Sequence, residues 1–166
     1  MSNERTLKDL LPLLELDDFI SFDLETTGLN PDKDKITEIA ACRFINGEFT
    51  EEFTTLINPG IPIPKNITAL TGITNKMVED APSINDALPD FMKFIGSTPL
   101  VAQNINFDYN FINKDRKLLK FGYPKIDEII NNCKNQKNSN KKLNKLLNKP
   151  MHSFNCIHNF HLHNYR

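Results

Sequence analysis

Asp23 and Glu25 are separated by a single residue in Phe22-Asp23-Leu24-Glu25-Thr26-Thr27-Gly28. Successive side chains of a strand point to opposite faces, so these two acids share one face, about 7 Å apart along the chain. They lie where an apolar stretch gives way to a Gly-containing loop, the usual place for chemistry in α/β sheets. Two ionised carboxylates held that close repel each other unless a cation lies between them. Ligands made only of oxygen suit Mg2+ or Mn2+ and not zinc. Taken alone, Asp-x-Glu is more often an exposed acidic turn, and the surrounding residues must decide.

The elements that would position these acids can be read along the chain. After an amphipathic opening (Leu7, Leu10, Leu11, Leu14), Phe19 to Leu24 reads as a strand. Asn30-Pro31-Asp32 is turn chemistry, and Ile36 to Ile45 is a largely apolar run. Asn46-Gly47 is the strongest short hairpin signal, and it leads into a third strand through Phe49, Phe53, Leu56 and Ile57, stopped by Asn58-Pro59-Gly60. Three strands joined in this way form an antiparallel meander. From Pro64 the period becomes helical, with Ile67, Leu70 and Ile73 at helical spacing and Gly72 ending a short helix. Ser83-x-x-Asp86 predicts a capping box before a helix containing Ala87, Leu88, Phe91, Phe94 and Ile95. Pro89 within it predicts a kink or a helix in two pieces. Pro99 to Ala102 reads as a short buried strand, and Phe107 to Phe121 as a helix ending at Gly122. Strands first, then helix, strand and helix, predict an α/β layered domain with a mixed sheet.

Phe-Asp-Leu-Glu-Thr-Thr-Gly-Leu (22–29) resembles the first motif of the DEDD exonucleases, the DnaQ-like family. Ile36-Thr37-Glu38-Ile39-Ala40 is similar to that family's second-strand segment, and Leu70-Thr71-Gly72-Ile73-Thr74 to the segment after its third strand. Val101-Ala102-Gln103-Asn104-Ile105-Asn106-Phe107-Asp108 resembles its second motif and supplies a third carboxylate. The pieces occur in the family's order from Asp18 to about Ile126.

The resemblance implies a ribonuclease H-like domain of three layers: a meander of three antiparallel strands, then parallel strands, flanked by helices. It implies 3′–5′ removal of nucleotides from single-stranded DNA or RNA 3′ ends, in repair or proofreading. Asp23, Glu25 and Asp108 would be the catalytic residues and would hold two Mg2+ or Mn2+ ions. Thr26, Thr27 and Gly28 would contact the terminal nucleotide, together with Asn104. Leu70 and Ile73 would support its base, or else simply belong to the core. Glu38 is expected outside the ligand set, facing its edge or an Arg or Lys. Phe107 is expected in the core. The stretch 13–19 before the first motif resembles exonuclease domains fused ahead of a DinG-type helicase, so a DNA polymerase or a fused helicase is the implied partner.

Two departures from the pattern stand out. Gln103 occupies a position where the family usually has His; it keeps hydrogen-bonding capacity but cannot carry charge. More seriously, the third motif, His followed by Asp five residues later, is absent: no acid follows Glu128. Losing one of four carboxylates would cost metal affinity and placement of the attacking water together.

Charge follows the same break. The 166 residues carry 20 Lys+Arg against 21 Asp+Glu, a net charge of -1. Residues 1–128 hold 13 Lys+Arg and all 21 acids, a net −8, whereas residues 129–166 hold six Lys and Arg166 with no acid, a net +7. The tail also contains all four His (152, 158, 161, 163) and ten Asn, and lacks Val, Ala, Asp, Glu and Gly entirely. Those five are the residues whose codons begin with G, and 35 of them occur in residues 1–128. A frameshift near residues 127–131 would produce this pattern. A natural disordered tail or a phosphate-attracting basic arm are the alternatives. Cys156, His158, His161 and His163 match no closed zinc spacing. The expected organisation is therefore a lead-in (1–17), an exonuclease-like domain incomplete at its C-terminal end (18–128) and a basic tail (129–166).

Composition sets the outer bounds. With 39% hydrophobic and 25% charged residues the chain is ordinary for a soluble globular protein. No apolar run approaches the ~20 residues that span a bilayer. Three Cys without a Cys-x-x-Cys point to a reducing cytoplasm and exclude a disulfide scaffold.

Overall fold

The computed structural model describes residues 18–102 and 104–118. The lead-in, Gln103, the expected helix end at Phe121 and Gly122 and the whole tail with its His residues, Cys133 and Cys156 lie outside them.

Strands β1 (Asp18–Thr26), β2 (Ile36–Ile45) and β3 (Glu48–Leu56) form the expected antiparallel meander. Asn46 and Gly47 make the two-residue turn between β2 and β3 with φ of 51° and 76°, the positive angles that match the twist of the flanking strands. Strand β4 (Leu100–Val101) joins β1 in parallel, and the order across the sheet is β3-β2-β1-β4. Among the described residues, the expected set of parallel strands is this one edge strand.

Alternation along β1 sorts its side chains cleanly. Ile20, Phe22 and Leu24 face the main core, where they meet Ile39 and Ala41 of β2. Helix α1 is Lys65–Thr71 and helix α2 is Ile84–Ile95. Helix α2 covers the sheet with Ala87, Leu88, Phe91, Met92 and Ile95, and Phe53 of β3 packs on Phe91 and Phe94. Helix α3 (Ile105–Leu118) adds Phe111 and Ile112 to the same core, with Phe107 partly buried against them as expected. Phe19, Ser21, Asp23 and Glu25 are thereby left on the opposite side of β1.

Two local expectations resolve in detail. Helix α2 runs through Pro89 as one element, so the two-piece alternative is not adopted. Ser83 is its N-cap, but the hydroxyl donates to Asp86 Oδ2 at 2.6 Å instead of accepting a backbone N–H. The far end of α2 is held by Arg43 of β2. Its guanidinium donates to the Phe94 carbonyl and to Thr98 Oγ1, pairs with Glu51 and lies over the Phe94 ring. Among the described residues no helix is long and apolar enough to cross a membrane.

Candidate active site

The strand end of β1 opens into a turn that is closed on itself. Thr26 Oγ1 donates to the Gly28 carbonyl at 2.6 Å. The Thr27 N–H donates to the Lys35 carbonyl at 2.8 Å, and the Lys35 N–H donates back to Thr27 Oγ1 at 3.0 Å. Both threonines are buried, so their hydroxyls are engaged within the turn. A Cβ at Gly28 would lie 2.5 Å from Asp34 Oδ2 and would have to displace that carboxylate, which meanwhile accepts the Asn30 N–H at 2.8 Å.

Asp23 and Glu25 stand half-buried beside this turn on the face away from the main core. Asp108 arrives from the first turn of α3 and is only 2% exposed. The α3 N-terminus is anchored by the exposed Asn104, whose carbonyl accepts the N–H of Phe107 and of Asp108. The three sequence-predicted acids therefore come together from two separate elements. Burial, then the Asp23 charge, pushes the Glu25 carboxyl up to about 7. Burial and the charges of Asp23 and Glu25 likewise push Asp108 up to about 7, against hydrogen bonds from the backbone of Asp108 itself and of Leu24.

Glu38 belongs to the same group more closely than the sequence indicated. It faces Glu25 directly across the β1–β2 ladder and is buried. Burial, Glu25 and Asp23 push it up to about 8. Glu25, Glu38 and Asp108 are thus held up first by burial and then by neighbouring negative charge, and each would gain from a nearby cation.

The donor chemistry fits a hard divalent cation. Every candidate ligand is a carboxylate oxygen, and Asp108 Oδ1 is buried with no hydrogen-bond partner. Among the described residues, however, no three His, Cys, Asp or Glu side chains are gathered so that they could hold one metal ion. Coulombic coupling reaches beyond ligand distance, so the acids couple electrostatically without three of them gathering around one ion position.

The apolar candidates separate. Ile73 is 1% exposed and packs with Ile63 and Val78, hence it is core. Leu70 is 81% exposed, and so is a residue the sequence reading passed over, Leu29, at 83%. A large apolar side chain directly after Thr-Thr-Gly was the available signal for Leu29.

Known proteins are similar to this chain. A solved structure of Exonuclease X in complex with 5′ overhanging duplex DNA is 34% identical, with a TM-score of 0.50 over 56% of this chain and 52% of that one. DNA polymerase III PolC-type of Clostridium perfringens is 46% identical over 99 residues, which are 60% of this chain and 7% of that protein. DNA polymerase III subunit epsilon of Aquifex aeolicus is 42% identical over 99 residues, 60% of this chain and 49% of that protein. The chain thus spans about half of the epsilon subunit and a small part of the PolC-type polymerase. A family model described as Exonuclease matches residues 20–164. With most of its length inside that match, and with a mixed sheet that carries acids on adjoining elements at one end, the chain belongs to the exonuclease family, in its DEDD, DnaQ-like branch.

Proposed function

We propose that this chain is a cytoplasmic 3′–5′ exonuclease domain that removes nucleotides from single-stranded 3′ ends. The observation that carries the reading is the convergence of Asp23, Glu25 and Asp108 from β1 and α3 into one mutually repelling group. Asp23 and Glu25, with Asp108, would hold two Mg2+ or Mn2+ ions. When bound, such ions activate a water and stabilise the departing oxygen of the phosphodiester. Asp108 sits in the first turn of α3, where the helix dipole favours its ionised form. The buried Thr26-Thr27-Gly28 turn would grip the terminal nucleotide through its backbone, Asn104 would contact it from the start of α3, and Leu70, free of the core, would offer apolar surface to its base. The names of the polymerase relatives support a DNA polymerase as the working partner.

A second reading is favoured by one observation, the absence of any acid after Glu128. In it the chain is a nucleic-acid-binding or polymerase-associated module that keeps the fold without turnover. A 3′-labelled single strand incubated with Mg2+ or Mn2+ separates the two. The exonuclease reading expects slow, stepwise shortening that disappears in Asp23→Ala. Binding without Asp23-dependent shortening establishes the second reading instead.

We attribute the tail to a change of reading frame near residues 127–131. Its lack of all five G-codon residues supports this, while the family match running to residue 164 counts against a wholly foreign tail. Translating the other two frames downstream of codon 127 should reveal His followed five residues later by Asp. Two frames without that pair would end the idea.

A further inference from the structure

The hydrogen bonds within the turn at Thr26–Lys35 fix its shape. Asn30 alone accepts the N–H groups of Lys33 and Asp34 on its carbonyl and that of Asp32 on Oδ1. None of these bonds fixes where the turn sits relative to Asp108. The Leu24 backbone ties Asp108 to β1 itself, and a second tie, to the turn, comes from the third turn of α3. Lys114 Nζ donates to the Pro31 carbonyl, and the next residue, Asp115, is 6% exposed. Asp115 lies seven residues beyond Asp108, close to two helical turns, so both acids lie on one side of α3 about 10 Å apart along the axis.

A buried carboxylate at this position is a poor choice for stability alone, because an apolar side chain of similar volume usually serves as well or better. Its surroundings say what it is kept for. Burial raises its pKa, and the cations of Lys35 and Lys114 pull it back down. Lys35 is the residue whose backbone brackets Thr27 at both N–H and C=O. The direct tie from α3 to the turn is therefore the bond from Lys114 to Pro31, and the buried Asp115 lies beside it within the electrostatic reach of Lys35.

We propose that Lys114 and Asp115 form a latch that sets the position of the Thr26-Thr27-Gly28 turn against Asp108, and with it the grip on a 3′-terminal nucleotide. They are positioning residues, acting through Lys35 and Pro31. The effect on nucleotide grip rests on the exonuclease reading, whereas the latch itself does not.

The test uses the full 166-residue chain as wild type, Asp115→Leu and Asp115→Glu, with Lys35→Met as an independent approach from the other side. Hydrogen exchange reads the latch directly. Asp115→Leu and Lys35→Met should each speed exchange about tenfold at the Thr27, Asp34 and Lys35 amides, with the β2–β3 ladder unchanged. Unchanged loop exchange in both variants would overturn the latch whatever the protein binds. Fluorescence anisotropy with a single-stranded oligonucleotide and Ca2+ reads the grip. Asp115→Leu should keep the thermal midpoint yet bind about tenfold more weakly, with Asp115→Glu recovering part of the loss. Full affinity in Asp115→Leu despite a loosened loop would overturn the link to nucleotide binding. A wild type that shows the exchange pattern but binds no oligonucleotide would leave the latch standing and defeat the exonuclease reading.

Discussion

At one end of the β1–β2 ladder Phe19 faces Phe44, with rings stacked at 4.8 Å and 8°. At the other end Glu25 faces Glu38. The same two strands thus close on an apolar pair that favours pairing and on an acid pair that opposes it. Phe49 extends the first cluster edge-on to Phe44, while Asp23 and Asp108 extend the second. The difference teaches where the molecule accepts a cost. The carboxylates sit at the end where the turn and α3 bring other groups close, and the aromatic end keeps the register that makes them face one another.

The largest effect is expected from removing the aromatic end. Phe44→Ala deletes the stacking partner of Phe19 and of Phe49 and opens the small cluster around Ala40 and Cys42. A loss of about 3 kcal/mol follows for an aromatic truncation at a largely packed site. For a domain of this size that is a fall of about 15 °C in the thermal midpoint. A drop of under ~3 °C in circular dichroism melts would show that the aromatic end does not hold the ladder.

The acid end is tested by pH. Glu25 and Glu38 move up from 4.5 to about 7 and about 8, and Asp108 from 3.8 to about 7. Folded values above unfolded ones mean that the folded state binds more protons. The corresponding stability is present below about pH 4 and is lost as pH rises through about 7 to 8. Without metal, the thermal midpoint should therefore fall between pH 5.5 and 8.5, by about 5 °C after allowance for the partial exposure of Glu25. Glu38→Gln should flatten that slope and raise the midpoint at pH 8.5. Added Mg2+ should help more at pH 8.5 than at pH 5.5, because binding displaces protons. A midpoint that rises across this range would contradict the proposed repulsion.

Much of this contrast was legible in the residues, but unevenly. Alternation alone put Asp23 and Glu25 on one face, and Asn46-Gly47 alone announced the hairpin. That Glu38 faces Glu25 was not readable, since a register slip of one residue reverses the face. Here the pairing runs without a shift from Phe19 and Phe44 to Glu25 and Glu38, and the irregularity comes only after that pair, between Glu25 and Thr26. Leu70 and Ile73 are three apart and look equivalent on a helical period. They part because α1 stops at Thr71 and Gly72, at φ 79°, turns Ile73 inward. Asp115 repeats the position of Asp108 at i+7, but the reach of its neighbour Lys114 to Pro31, 83 positions earlier in sequence, is encoded by no local pattern.

The two turns that bound the ladder give the finest test, because each has a glycine for a different physical reason. Gly47 adopts φ 76°, so any side chain there is strained by its own backbone, and Gly47→Ala should cost about 1 kcal/mol whatever its neighbours are. Gly28 is limited from outside, by the Asp34 carboxylate 2.5 to 2.7 Å from where a Cβ would stand. Gly28→Ala must push Asp34 aside and break its bond with the Asn30 N–H, again a loss of about 1 kcal/mol. The two losses are distinguishable by a second substitution. Asp34→Ala gives up the Asn30 bond but clears the space, so Gly28→Ala added to it should cost almost nothing, a coupling of about 1 kcal/mol in a double-mutant cycle. Gly47→Ala combined with Asp34→Ala should simply add. Additivity in the Gly28 cycle as well would mean that the turn beside the acids is held by its own backbone conformation, as the hairpin turn is, and not by the packing of Asp34 against it.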